Sequence, residues 1–118
     1  MKLFDSEWKV MEVLWQTGDR TAKELSLALA EKTGWNKNTT YTVIKKCIEK
    51  GAIERREPGF VCHAQITKQQ AQKEEAETLV DKVFGGSADL LFASVLSDRS
   101  LSKDEIARLK ALVEAMEA

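Results

Sequence analysis

One change of hydrophobic period constrains this chain more than any other feature. Up to Gly51 the apolar residues recur every three or four positions, as amphipathic helices require, and glycines close each run. Between Ala52 and Ile66, "AIERREPGFVCHAQI", β-formers take over. The single proline, Pro58, stands before Gly59 in the middle of that stretch and is the strongest turn signal in the sequence. From Thr67 onward the helical period returns. Three helices, a hairpin and then a purely helical segment are therefore expected, in that order.

The helix boundaries can be read locally. The first helix is expected to begin near Ser6, to carry Phe4, Trp8, Met11 and Trp15 along one stripe, and to end at Gly18. The second opens with a capping box, Thr21 and Glu24, buries Ala22, Leu25, Ala28 and Leu29, and stops at Gly34. Asn36 is a good N-cap for a third helix running to Gly51. At 100° per residue, Thr40, Val43, Ile44, Cys47 and Ile48 share one face of it, and Asn38, Thr39, Tyr41, Thr42, Lys45, Lys46 and Glu49 share the other. On the returning strand Phe60, Cys62, Ala64 and Ile66 face one way, and Val61, His63 and Gln65 the other. Three helices followed by a hairpin is the winged helix-turn-helix arrangement.

The outward face of the third helix is chemically distinctive. Threonines and a tyrosine weaken a helix surface, where Glu and Lys pairs would serve solubility better. Asn38, Thr39, Tyr41 and Thr42 near its start suit base edges and sugars, while Lys45 and Lys46 further along suit phosphates. Arg55 and Arg56 precede the hairpin turn, where a wing would lie along the backbone of a duplex. Such arginines also protect an exposed strand edge from aggregation, and the two roles are compatible.

Charge is distributed to match. The formal net charge is −1, yet residues 36–56 hold six Lys/Arg against Glu49 and Glu54. Residues 67–118 hold seven Lys/Arg against ten Asp/Glu. A basic stretch in a mildly acidic chain points to a polyanion-facing surface. No stretch approaches the roughly 18 apolar residues of a membrane span, and "MKLFDSEWKVMEVLW" has no signal-peptide pattern, so a cytoplasmic protein is expected. Catalysis is not expected from one histidine and no nucleophile or paired-carboxylate pattern. Cys47, Cys62 and His63 do not have zinc-site spacing, and Gly85-Gly86 reads as a helix end, so no metal or cofactor is expected.

The remaining helices carry more apolar surface than they can bury against one another. Thr67 and Gln70 cap a helix with Ala76, Leu79, Val80, Val83 and Phe84 on one stripe. The segment "ADLLFASVL" supplies Leu90, Leu91, Phe92 and Val95, and Ser102 with Glu105 caps a last helix bearing Ile106, Leu109, Leu112, Val113 and Met116. Exposed patches of this kind mark interfaces, and a second copy of the chain is the simplest partner.

"DSEWKVMEVLW", "TAKEL", "TGWNKNTTYTVIKKCIEKGAIERR", "FGG" and "LSKDEIARL" together resemble the BlaI/MecI/CopY family of bacterial repressors, of the penicillinase-repressor type. The resemblance runs from about Asp5 to Met116. It implies an N-terminal winged-helix DNA-binding domain, a C-terminal helical dimerisation domain, and repression by a dimer seated on a dyad operator. By position, the DNA-contacting part of the family's third helix falls on Asn38, Thr39, Tyr41, Thr42 and Lys45. Copper-controlled members carry a C-terminal cysteine cluster, whereas this sequence has no cysteine after Cys62. For the β-lactam-responsive members the resemblance implies a membrane sensor whose protease cuts an Asn-Phe bond before the last helix. The nearest position here is Ala93-Ser94, and the sequence contains no Asn-Phe pair, so induction by that cleavage is not carried over.

The expectation is thus a mainly α protein with a winged-helix domain over 1–67 and a helical dimerisation domain over 68–118. Its expected function is repression as a homodimer on a palindromic double-stranded DNA operator. The alternative is a winged helix that serves as a protein-interaction module without sequence-specific DNA binding.

Overall fold

The computed structural model describes residues 1–98 and 101–117. In chain order the elements are α1 (Asp5–Thr17), β1 (Arg20–Thr21), α2 (Ala22–Thr33), α3 (Lys37–Glu49), β2 (Ile53–Arg56), β3 (Val61–Ala64), α4 (Lys68–Val83), α5 (Ala88–Asp98) and α6 (Lys103–Glu117). They form two compact units, Met1–Ala76 and Glu77–Ala118, with the division inside α4.

The first unit is a winged helix. Its three-stranded antiparallel sheet has the order β1-β3-β2. The predicted hairpin pairs Ile53 with Ala64 and Arg56 with Val61. The Glu57–Pro58 peptide in its turn is cis. β1 is an addition to the sequence reading: Arg20 pairs with Cys62 and Thr21 with Val61, and the Ala22 N–H donates to the Phe60 carbonyl at 2.9 Å. The residues between α1 and α2 are thereby tied to the wing.

The predicted caps form. Thr21 Oγ1 accepts from the Glu24 N–H while Glu24 Oε1 accepts from the Thr21 N–H, both at 3.1 Å. Asn36 Oδ1 accepts from the Thr39 N–H at 2.8 Å. Thr67 with Gln70 and Ser102 with Glu105 make the same reciprocal bonds. Gly34 ends α2 in the left-handed region at φ 76°, which glycine reaches at no steric cost.

The core differs from expectation on α1. Phe4 is 57% exposed and stands at the N-cap. The buried face is Glu7, Val10, Met11 and Leu14, extended by Leu3, and Trp8 and Trp15 close its rim edge to face at 5.6 Å. Helical spacing fitted Phe4 to the stripe, but a residue before the first turn does not follow the helical screw. These side chains pack with Leu25 and Leu29 of α2, Val43, Ile44 and Cys47 of α3, and Ile53 and Cys62 of the sheet.

Glu7 is a charged member of this core. It is fully buried, its Oε1 accepts from the Phe4 N–H at 2.7 Å, and Lys50 Nζ lies 2.6 Å from the same oxygen. Lys50 also donates to the Lys2 carbonyl and lies 4.0 Å from the Phe4 ring centroid. Since Lys50 is the C-cap of α3, this cluster fixes where α3 ends against α1. The Trp15 indole N–H donates to the Ile66 carbonyl at 2.9 Å, and Lys68 pairs with Glu12, so the start of α4 is fastened to α1.

The second unit consists of the end of α4 with α5 and α6. None of its described residues is buried. Nine of the twelve exposed large hydrophobics among the described residues lie in it, including Leu79, Val83, Leu90, Phe92, Leu112 and Val113. Val80, Phe84, Leu91 and Leu109 are half-buried, and the side chain of Met116 falls outside the described residues. A groove of about 640 Å³ runs between Leu96, Leu101, Ile106, Leu109 and Val113, edged by Lys110 and Glu114.

Candidate nucleic-acid interface

The geometry of α3 follows from its buried side. Thr40, Val43, Ile44 and Cys47 are buried, and that burial offsets the weak helix propensity of four threonine and tyrosine positions in a row. The opposite side presents Asn38, Thr39, Thr42, Lys45, Lys46 and Glu49 to solvent, with Tyr41 half-buried at its border. No acidic residue occupies the first turn, so the positive end of the helix dipole is left unneutralised beside Lys37. The hydroxyl of the exposed Thr42 donates to the Asn38 carbonyl at 2.9 Å, so its proton is engaged while its oxygen can still accept. Among the described residues, Lys45 and Lys46 enter no ion pair.

The wing is charged on both sides of zero. Arg55 Nε donates to Glu57 Oε1, and its guanidinium lies 3.6 Å over the Phe60 ring centroid. Arg56 Nε donates to Glu54 Oε1 at 2.6 Å and approaches Asp19 at 3.6 Å. His63 Nδ1 lies 2.7 Å from Asp19 Oδ1, and Gln65 donates to Glu54 Oε2 at 3.1 Å. The hydrogen bond from Arg56 holds the Glu54 carboxyl below the usual carboxylate range. The bond from Arg55, then the Phe60 N–H, does the same for Glu57. Both wing arginines are therefore preoccupied by carboxylates that a phosphate would have to replace.

Three residues that shape this surface carry no sequence signal as such. Asp19 joins His63 and Arg56 across 37 residues or more, Phe60 bridges Arg55 and Tyr41, and Lys50 anchors α3 from behind.

The cysteines lie behind the surface. Burial pushes the Cys47 thiol up to about 12 and the Cys62 thiol up to about 11, so neither is a thiolate at neutral pH. No group of three or more metal-ligating side chains occurs among the described residues. None of the described helices is long and apolar enough to cross a membrane. Ala93 and Ser94 are exposed on α5.

The chain is similar to the penicillinase repressor of Bacillus licheniformis, 24% identical over 96% of this chain and 90% of that protein. It is similar to the methicillin resistance regulatory protein MecI of Staphylococcus aureus, 22% identical over 92% and 90% respectively. Among solved structures it resembles the DNA binding domain of the repressor BlaI, with 28% identity and a TM-score of 0.53 over 58% of this chain and 90% of that one. The sequence profile of the penicillinase repressor family matches residues 3–115, nearly the full length, and the chain belongs to that family.

Proposed function

We propose that this chain is a DNA-binding transcriptional repressor that acts as a homodimer on a palindromic operator. The observation that carries the reading is the outward face of α3, polar at its start, cationic further along, with Lys45 and Lys46 free of ion pairs among the described residues. In the major groove, Asn38, Thr39 and Thr42 meet base edges and Lys45 and Lys46 meet phosphates. Arg55 and Arg56 exchange their carboxylate partners for backbone phosphates flanking the groove. Two copies pair through the apolar faces of α4, α5 and α6, centred on Leu79, Val83, Phe92, Leu112 and Val113. Pairing presents two α3 helices to half-sites about 34 Å, or a multiple, apart.

The test is selection of binding sites from randomised duplex DNA at two salt concentrations. An enriched inverted repeat is expected, bound about a thousandfold more weakly at 200 mM than at 50 mM salt, because cation–phosphate contacts release counterions. No enrichment, with an intact dimer, would instead favour a protein-interaction module.

A further inference from the structure

We infer that Tyr41 and Phe60 form an aromatic strut that positions the wing against α3, and that Tyr41 is a positioning residue rather than a reader of DNA. The inference rests on the repressor reading for its effect on affinity, though not for its effect on the wing. The two rings meet edge to face, 5.9 Å apart at 77°, and both are half-buried against the core. Lys37 Nζ lies 5.4 Å from the Tyr41 centroid, and Arg55 stacks on Phe60. A chain of cation, ring, ring and cation thus runs from the first turn of α3 to the wing.

Phe60 is held for this task. Its φ of 50° is the only positive φ of a non-glycine residue among those described, a conformation that a bulky side chain rarely adopts. Contacts on three sides fix it: its N–H donates to Glu57 Oε2 at 3.2 Å, its carbonyl accepts from the Ala22 N–H, and Arg55 covers its ring. The same turn geometry turns the ring toward Tyr41. β1 and Asp19 hold the strands of the hairpin to the region between α1 and α2, whereas the ring contact of Phe60 with Tyr41 ties its exposed turn to α3. With the strut in place, Arg55 is carried at a set distance from the reading face of α3. The Tyr41 hydroxyl has no part in the ring contact, so phenylalanine should replace it.

The test compares full-length Tyr41→Phe, Tyr41→Ala, Arg55→Ala and the Tyr41→Ala/Arg55→Ala double variant. In the free protein, backbone order parameters of residues 54–60 should fall from about 0.85 toward about 0.6 in Tyr41→Ala and stay unchanged in Tyr41→Phe. On the selected operator, Tyr41→Phe should bind within about twofold of the parent, whereas Tyr41→Ala should lose roughly three- to tenfold. Tyr41→Ala should also lower the salt slope of the dimer by about two, one for each copy, as Arg55→Ala does, and the double variant should lower it no further. Equal losses for Tyr41→Phe and Tyr41→Ala would overturn the inference, because the hydroxyl would then be reading DNA. Unchanged wing order in Tyr41→Ala would overturn it as well. A parent protein that selects no operator would sink the repressor reading, while the order parameters would still decide the strut.

Discussion

Lys50 and Thr40 show how differently two buried polar groups of α3 bear on stability. Removing Lys50 leaves the fully buried Glu7 carboxylate with only the Phe4 N–H for company. Lys50→Ala is expected to cost about 3 kcal/mol, because an uncompensated buried charge is more damaging than a missing contact. Glu7→Gln keeps an acceptor for Phe4 and gives up the charge, and should cost about 1 kcal/mol. Urea unfolding of both variants checks the ranking. Thr40 is the opposite case: its hydroxyl is buried and finds no partner among the described residues. Thr40→Val should therefore stabilise the protein by about 1 kcal/mol, against the usual sign of a core substitution. Helical geometry puts Thr40 on the buried face of α3, as found, but not its unpartnered hydroxyl, and it gives no sign of the Lys50–Glu7 pair. Periodicity assigns carboxylates to the outside, whereas Glu7 is inside because Lys50, 43 residues away, meets it there. The cysteines follow the same logic of burial. A thiol reagent at pH 8 should label Cys47 and Cys62 only as fast as the fold opens, and fast labelling of the native protein would contradict their burial.

Elements are where the sequence speaks most clearly. Capping boxes at Thr21, Thr67 and Ser102 could be identified because each is a bond between residues three apart. Thr21→Ala is expected to cost about 1 kcal/mol in thermal or urea unfolding. β1 escaped because two residues carry no period of their own; Arg20 and Thr21 are a strand only because Cys62 and Val61 lie alongside. The exposed face of α3 could be read from helical geometry, but the pairing of Arg55 with Glu57 and of Arg56 with Glu54 could not. Those carboxylates also make the wing acid-sensitive. Glu24, Glu54 and Glu57 have folded pKa values depressed from 4.5. Their contribution is complete above that value and disappears as pH falls through the folded values. Stability should be flat in these groups from pH 8 to pH 6 and decline below about pH 4.5. Glu57→Gln should blunt the decline while tightening DNA binding, since Arg55 would no longer have to leave a carboxylate.

At the scale of the whole molecule, the two units differ in what they can bury. Every buried apolar residue among those described lies between Leu3 and Ala71. The described residues of the unit Glu77–Ala118 include no buried one, which is too little for a helical segment to stand by itself in water. Its apolar excess was evident in the sequence, although no count of leucines could say which faces stay uncovered. Leu112→Asp together with Phe92→Asp should convert the proposed dimer to a monomer in analytical ultracentrifugation while the winged helix stays folded. Operator affinity should fall by about a hundredfold or more, because two half-sites would then be bound separately. A double variant that sediments as a dimer would place the interface elsewhere.

The uneven burial also bears on how long each copy survives. The core that closes by Ala71 can be complete while the rest of the chain is still being synthesised. The described residues of the second unit bury nothing within one copy, and the proposed pairing would supply their cover. If copies pair as proposed, unpaired ones would keep their leucines and valines within reach of proteases and paired ones would not. Turnover would then prune whatever exceeds the paired stock, so the amount of working protein would be set partly by degradation as well as by synthesis.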